Sequence, residues 1–207
     1  LLHRTVITMR AFITTATVSL VLAAATATTG LATSLRNEGN QGEWSKEPKF
    51  CHGINCPNFT TVASCPGANG FEIREYPAAY WVESTFQGAG TSDFQNSQQE
   101  GFQNGFSYIS GANAKNEKIE MTAPVLNKIE PGAGPNCNTS FTVSFFVPFS
   151  HQGNAPQPTG AGVSLKLHPK LLVAVRSFGG YFGAWDTVKP EFFALGTALT
   201  NNSLSFS

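Results

Sequence analysis

Phe71-Glu72-Ile73-Arg74, Pro77, Tyr80-Trp81-Val82-Glu83-Ser84-Thr85-Phe86 and the run from Ser92 to Gly111 form the stretch that decides the fold class. The first segment alternates apolar and polar side chains at the period of two that the opposed faces of a strand require. The second is rich in β-branched and aromatic residues, so the two are expected as strands of a hairpin-like pair around Pro77. Ser92 then offers an oxygen to the free amides of a helix start, and Gln95 three residues later completes a capping box. Phe94, Phe102, Phe106 and Ile109 recur at helical spacing, and Gly111 suits the left-handed residue that ends a helix. Strands followed by a helix in this order indicate an α+β domain.

Gly101 and Gly105 sit inside this helix, where each costs about 1 kcal/mol against alanine. Their spacing of four puts them on one side, so something approaches the backbone closely there. Tight packing on a sheet is the plainer explanation, and a flat ligand is the sharper one.

Working outward, Ile119 to Ile129 reads as a strand interrupted by Pro124, and Pro131-Gly132-Ala133-Gly134-Pro135 as a turn. Phe141, Val143, Phe145 and Val147 alternate with Thr142 and Ser144, a clear strand pattern. Val163–Leu167 and Leu171–Phe178 give two more strands. A second helix is expected from Asp186 to Leu199, with Phe192, Leu195 and Leu199 on one face and Pro190 in its first turn. The order is β-β-α-β-β, then β-β-α. The second half repeats the first without its last strands, which predicts an unpaired sheet edge and a tendency to associate.

Composition narrows the function. Lys+Arg and Asp+Glu number 13 each, so no net charge steers the chain to nucleic acid or to an anionic membrane. Charged residues make up 13%, against a usual share of roughly 25%, and 17 phenylalanines shift burial toward rings.

Residues 1–33 read as lying outside the domain. Met9-Arg10, the apolar stretch Val18–Ala25 and small residues at Ala23, Ala25 and Ala27 match a secretory signal peptide, with Leu1–Thr8 upstream of its start. The apolar part is short and diluted by threonine, which argues against a membrane anchor. The mature chain is expected to begin between Thr26 and Ser34, with residues 34–55 as a linker and 56–207 as the domain.

In an oxidising compartment the four cysteines, Cys51, Cys56, Cys65 and Cys137, become disulfide candidates with three possible pairings. A zinc site from Cys51, His52, Cys56 and Cys65 is the alternative, but its spacing fits no familiar ligand pattern. No C-x-x-C-H is present, so covalent haem attachment has no support. Asn58, Asn138 and Asn201 head sequons usable only in a secreted chain.

Gly111-Ala112-Asn113 followed by Lys118-Ile119-Glu120-Met121-Thr122-Ala123-Pro124-Val125 resembles the most specific run of the SOUL haem-binding family, G-x-N…K-I-x-M-T-x-P-V. Phe71–Tyr76, Val143–Pro148 and Val175-Arg176-Ser177-Phe178-Gly179-Gly180-Tyr181 resemble further family segments in the expected order, covering residues 56 to 199. The resemblance implies a distorted antiparallel β-barrel with two flanking helices and two similar βαβ-type halves. It also implies reversible, non-covalent binding of haem or another porphyrin, as carrier or buffer rather than enzyme. Two departures are visible. The family's final strands, with an A-G-Y-D-like run, have no counterpart, so the second half is read as truncated. The histidine proposed as an axial iron ligand has no clear counterpart either.

Cys56-Pro57 and Gly134-Pro135-Asn136-Cys137 look like the cysteine-bearing form of secreted, plant-like members. Both belong to motifs flanking the first half-sheet, which favours Cys56–Cys137 with Cys51–Cys65 and no free thiol.

Carried over residue by residue, the family's binding surface falls on Gln99, Phe102 and Phe106. Both rings also read as plain core, Phe106 more so than Phe102. Lys115 and Lys118 are candidates to pair with propionates, and Met121 could ligate iron or simply fill a core. His3, His52, His151 and His168 show no partner that would orient an iron ligand. Two other classes remain open. A tetrapyrrole-processing or peroxidase-like enzyme would draw on Glu100 or Glu120, and an interaction module would use the same apolar face for a protein partner.

Overall fold

The computed structural model describes residues 6–10, 49–51, 53–67, 70–88, 93–130, 139–179 and 185–204. In chain order the elements are β1 (Val6–Arg10), β2 (Thr60–Cys65), β3 (Phe71–Tyr76), β4 (Ala79–Gly88), α1 (Asp93–Ile109), β5 (Val125–Glu130), β6 (Thr139–Phe146), β7 (Val163–His168), β8 (Leu171–Ser177) and α2 (Trp185–Asn201). The class is α+β, with two helices and two four-stranded antiparallel sheets ordered β1-β8-β3-β2 and β5-β6-β4-β7.

The expected hairpin of β3 with β4 does not form. β3 pairs with β8, from Glu72↔Val175 to Tyr76↔Leu171, whereas β4 pairs with β7, from Ala79↔His168 to Ser84↔Val163. Only Pro77 and Ala78 separate β3 from β4, and Pro169 and Lys170 separate β7 from β8. Proline lacks the N–H a ladder needs, so each link bends the chain out of one sheet and into the other. The two arms therefore cross, each giving one strand to each sheet. Among the described residues the ladders form two facing four-stranded sheets with no closed barrel, so the expected α+β class is met and the distorted barrel is not seen as such.

The ends of the elements differ from expectation in places. β1 adds to β8 with register Val6↔Ser177 to Arg10↔Val173, although residues 1–33 were expected outside the domain and this edge unpaired. An open ladder accepts an extended segment through its free backbone groups, which sequence pattern does not report. β2 is a mostly exposed edge strand whose polar Thr-Thr-Val-Ala-Ser-Cys sequence masks it. β5 begins only at Val125, and Pro190 lies well inside α2, which starts at Trp185. Ser92 of the expected capping box lies outside the described residues.

Cys51 and Cys56 form a disulfide with Cα atoms 5.6 Å apart, and Cys65 is a free thiol. This corrects the expected Cys56–Cys137 and Cys51–Cys65 pairing: a tight turn brings two cysteines five residues apart within bridging distance. Cys137 and His52 lie outside the described residues, among which no cluster of three or more potential metal ligands occurs. Asn201 is exposed at the end of α2 and Asn58 is half-buried, while Asn138 falls outside the described residues.

Each helix packs mainly on the outer face of one sheet, and Val188 of α2 also joins Phe94 of α1 and Phe141 of β6. Tyr108 and Ile109 of α1 pack with Ile119 against Val82, Phe145 and Val147. Leu195, Ala198 and Leu199 of α2 pack on Phe71 and Ala174. The inner faces look toward each other and carry Val173, Val175 and Tyr76 on one side, with Trp81 and Phe146 at 5.3 Å on the other. A polar row also lies along β4, β6 and β7. Thr85 and Thr142 share a hydrogen bond at 3.0 Å, while Ser144 and His168 both bond Glu83. Among the described residues no helix is long and apolar enough to cross a membrane.

Candidate functional site

The buried stripe of α1 is Phe94, Ser97, Gly101, Gly105 and Tyr108, spaced by three and four. A Cβ on Gly101 would sit 2.5 Å from the Val143 side chain, and one on Gly105 would sit 2.6 Å from the Phe145 ring. The glycines thus let α1 sink onto β6, and the sheet fills the space beside them. Tight packing is the correct explanation, and a flat ligand is not seated against the glycines.

Sinking the helix places the next residue along from each glycine on its flank. Phe102 and Phe106 are 37% and 48% exposed, with ring centroids 6.3 Å apart and planes within 10°. Phe102 leans on Phe145 at 5.4 Å, which anchors the inner edge of the pair. Phe106 is therefore not a core residue, and Phe94 and Ile109, both buried, do not share its face. The spacing of the four residues is helical, but the glycines turn the contact face by about one position.

Gln99 is exposed one turn before Phe102, within reach of the same flank. Lys115 and Lys118 are exposed in the turn that follows α1. That turn is shaped by Asn113, which is 1% exposed. Its amide donates to the Tyr108 and Glu117 carbonyls at 3.0 and 2.7 Å, and its oxygen accepts from the Lys115 and Glu117 amides. Lys115 Nζ donates to the Asn154 carbonyl at 3.1 Å. Met121 is 39% exposed and belongs to no strand, so it is not core filler. Phe102 and Phe106 touch, while among the described residues no hydrogen bond or ion pair links Gln99, Lys115, Lys118 or Met121 to them or to one another.

Both described histidines have carboxylate partners that sequence distance concealed. His151 Nε2 lies 3.0 Å from Glu117 Oε1 and its Nδ1 lies 2.8 Å from Ser150 Oγ. His168 Nε2 is bonded to Glu83, 85 residues away. The His151 contact holds the Glu117 carboxyl below the usual range. At Glu83, burial pushes the pKa up, but the His168 hydrogen bond and charge, with Ser144 and Lys128, outweigh it and the net shift is down. Burial raises the Tyr108 phenol to about 12, so it stays a neutral donor to the Pro156 carbonyl.

A protein-family model described as SOUL heme-binding protein matches residues 54–206. The chain belongs to this SOUL family. Human heme-binding protein 2 is 37% identical over 119 residues, covering 58% of this chain and 57% of that protein. Heme-binding protein 1 of Xenopus laevis is 25% identical over 118 residues, covering 57% of this chain and 60% of that protein. The matches thus span less than two thirds of the relatives' own length.

In this SOUL chain the most specific motif is largely structural. Asn113 ties the turn, Ile119 is buried, and Thr122 donates to the Phe146 carbonyl at 2.7 Å. Lys118, Glu120 and Met121 of the same run point to solvent. The motif holds the end of α1 against β6, and the exposed ring pair depends on that attachment.

Proposed function

We propose that this SOUL chain binds haem or a related tetrapyrrole reversibly and without covalent attachment, as a carrier or buffer. The observation that supports this best is the Phe102–Phe106 pair, two near-parallel rings left open to solvent on the flank of α1. Together they form an exposed apolar patch, which suits a macrocycle held by ring burial and offset stacking. Lys115 and Lys118 supply nearby exposed cations of the kind that pair with propionates. The family match and the printed names of the relatives point the same way.

The residues fit the macrocycle better than the iron. His151 has both ring nitrogens engaged, by Glu117 and Ser150, and His168 borders the cavity between the sheets and not the α1 flank, so among the described residues the exposed Met121 is the remaining soft donor near the motif turn. A bound haem would bring redox-active iron, whereas the protein's own residues supply apolar cover and charge. A secreted setting is part of the proposal, supported by the Cys51–Cys56 disulfide, since such bonds persist in oxidising compartments.

Titration with hemin and, separately, with metal-free protoporphyrin IX tests the reading. Both should bind with affinities within about threefold, because the platform recognises the ring. Binding of hemin alone would place the interaction at the iron and overturn the proposed site. Consumption of peroxide or conversion of the tetrapyrrole at a sustained rate would favour an enzyme instead.

A further inference from the structure

Between the two sheets lies a cavity of about 170 Å³, remote from the outer flank of α1. Its walls come from both inner faces: Tyr76 and Val173 on one side, Trp81, Leu126 and Phe146 on the other, with His168 at the end of β7. The lining is mostly carbon. Gln152 also borders it, but its amide is fully occupied, accepting from the Tyr80 N–H at 2.7 Å and donating to the Tyr80 and Val147 carbonyls.

His168 is the distinctive group. Its ring stacks on Trp81 with centroids 5.8 Å apart and planes 27° apart. Glu83 takes Nε2 and is itself steadied by Ser144 Oγ at 3.2 Å, so the imidazole orientation is set from behind. With Nε2–H donated to the carboxylate, Nδ1 is an acceptor in the neutral form of the ring. Among the described residues nothing hydrogen-bonds that atom. An apolar chamber with aromatic walls and a few polar groups, His168 among them, is the usual construction of a small-molecule site.

Size restricts the ligand. An engineered protein cavity of about 150 Å³ admits benzene, and drug-sized ligands occupy roughly 300–1,000 Å³. A porphyrin is therefore too large for this chamber. We infer that the chain has a second ligand site between its sheets, taking a compact planar aromatic with a single O–H or N–H donor directed at His168. The site is independent of the tetrapyrrole reading, because it uses opposite faces of β4 and β6.

The test is titration of the full chain with 2-naphthol, followed by its fluorescence and by chemical-shift mapping. Saturable one-to-one binding is expected, with shifts centred on Trp81 and Phe146. Leu126→Trp and Ala79→Phe each fill the chamber and should weaken binding at least tenfold in protein shown to be folded. His168→Phe should erase the preference for 2-naphthol over naphthalene. Phe106→Ala should leave 2-naphthol affinity within twofold while weakening hemin, which separates this site from the α1 platform. No saturable binding, unchanged affinity in the filled variants, or loss with Phe106→Ala would each overturn the inference. If both filled variants unfold, shifts centred away from Trp81 in the unaltered chain overturn it equally.

Discussion

Phe106→Ala isolates the contribution of the ring platform. The residue is 48% exposed, and a phenylalanine offers roughly 200 Å² for burial, which leaves roughly 100 Å² for a ligand to cover. At about 25 cal/mol per Å² that area corresponds to about 2.5 kcal/mol, or about a 60-fold loss of affinity. The fold should tolerate the change, since the ring's stacking on Phe102 contributes about 1 kcal/mol at most. Phe102 is 37% exposed and also leans on Phe145, so Phe102→Ala should cost less affinity and more stability. Hemin titration read at the Soret band, paired with a urea midpoint for each variant, measures both quantities. A folded Phe106→Ala protein that binds hemin within twofold of the unaltered chain would refute the platform argument and move the site off α1.

Three further outcomes follow from the geometry. Gly105→Ala gains about 1 kcal/mol of helix propensity, but its Cβ would meet the Phe145 ring at 2.6 Å. A net loss of about 1 kcal/mol is expected, and an unchanged or raised urea midpoint would contradict the close approach of α1 to β6. Non-reducing peptide mapping should find Cys51 joined to Cys56 and Cys65 open to alkylation, and Cys56→Ser should cost about 2 kcal/mol for so short a loop. Glu83 has a folded pKa below its ordinary 4.5, so its contribution to stability is full above that value and is lost as pH falls through the folded value. Glu83→Gln should therefore flatten the acid limb of a stability profile, and two superimposable acid limbs would show that the pair with His168 contributes nothing.

Much of the local structure was legible. β3, β4, β6, β7, β8 and both helices lie where alternation and helical spacing put them, because each buries one face and displays the period of that burial. The failures have a common cause. β2 is an exposed edge with almost no buried face, so it imprints no side-chain pattern, and β1 joins the sheet by pairing with β8, a partner far away in sequence. Among the binding candidates, Phe102 and Phe106 were found by spacing, yet the same spacing grouped them with buried Phe94 and Ile109. Glycine has no hydropathy signal of its own, so the true contact stripe through Gly101 and Gly105 was invisible until Val143 and Phe145 were seen against it.

The sequence by itself determined the α+β class, the order of elements from β3 to α2 and the family, because those depend on local periodicity and on a motif read in one dimension. Tertiary structure alone decided how the strands pair. β3 and β4 are separated by two residues and look like a hairpin, but the choice between a neighbour and a distant strand depends on where each face finds apolar cover. That cover comes from α1 on one sheet and α2 on the other, and no window of sequence contains both. The same separation conceals the functional chemistry. His168 and Glu83 stand 85 residues apart and meet only because the crossed arms lay β7 beside β4. The chamber between the sheets exists only once two inner faces, each with its own alternation, have been set against one another.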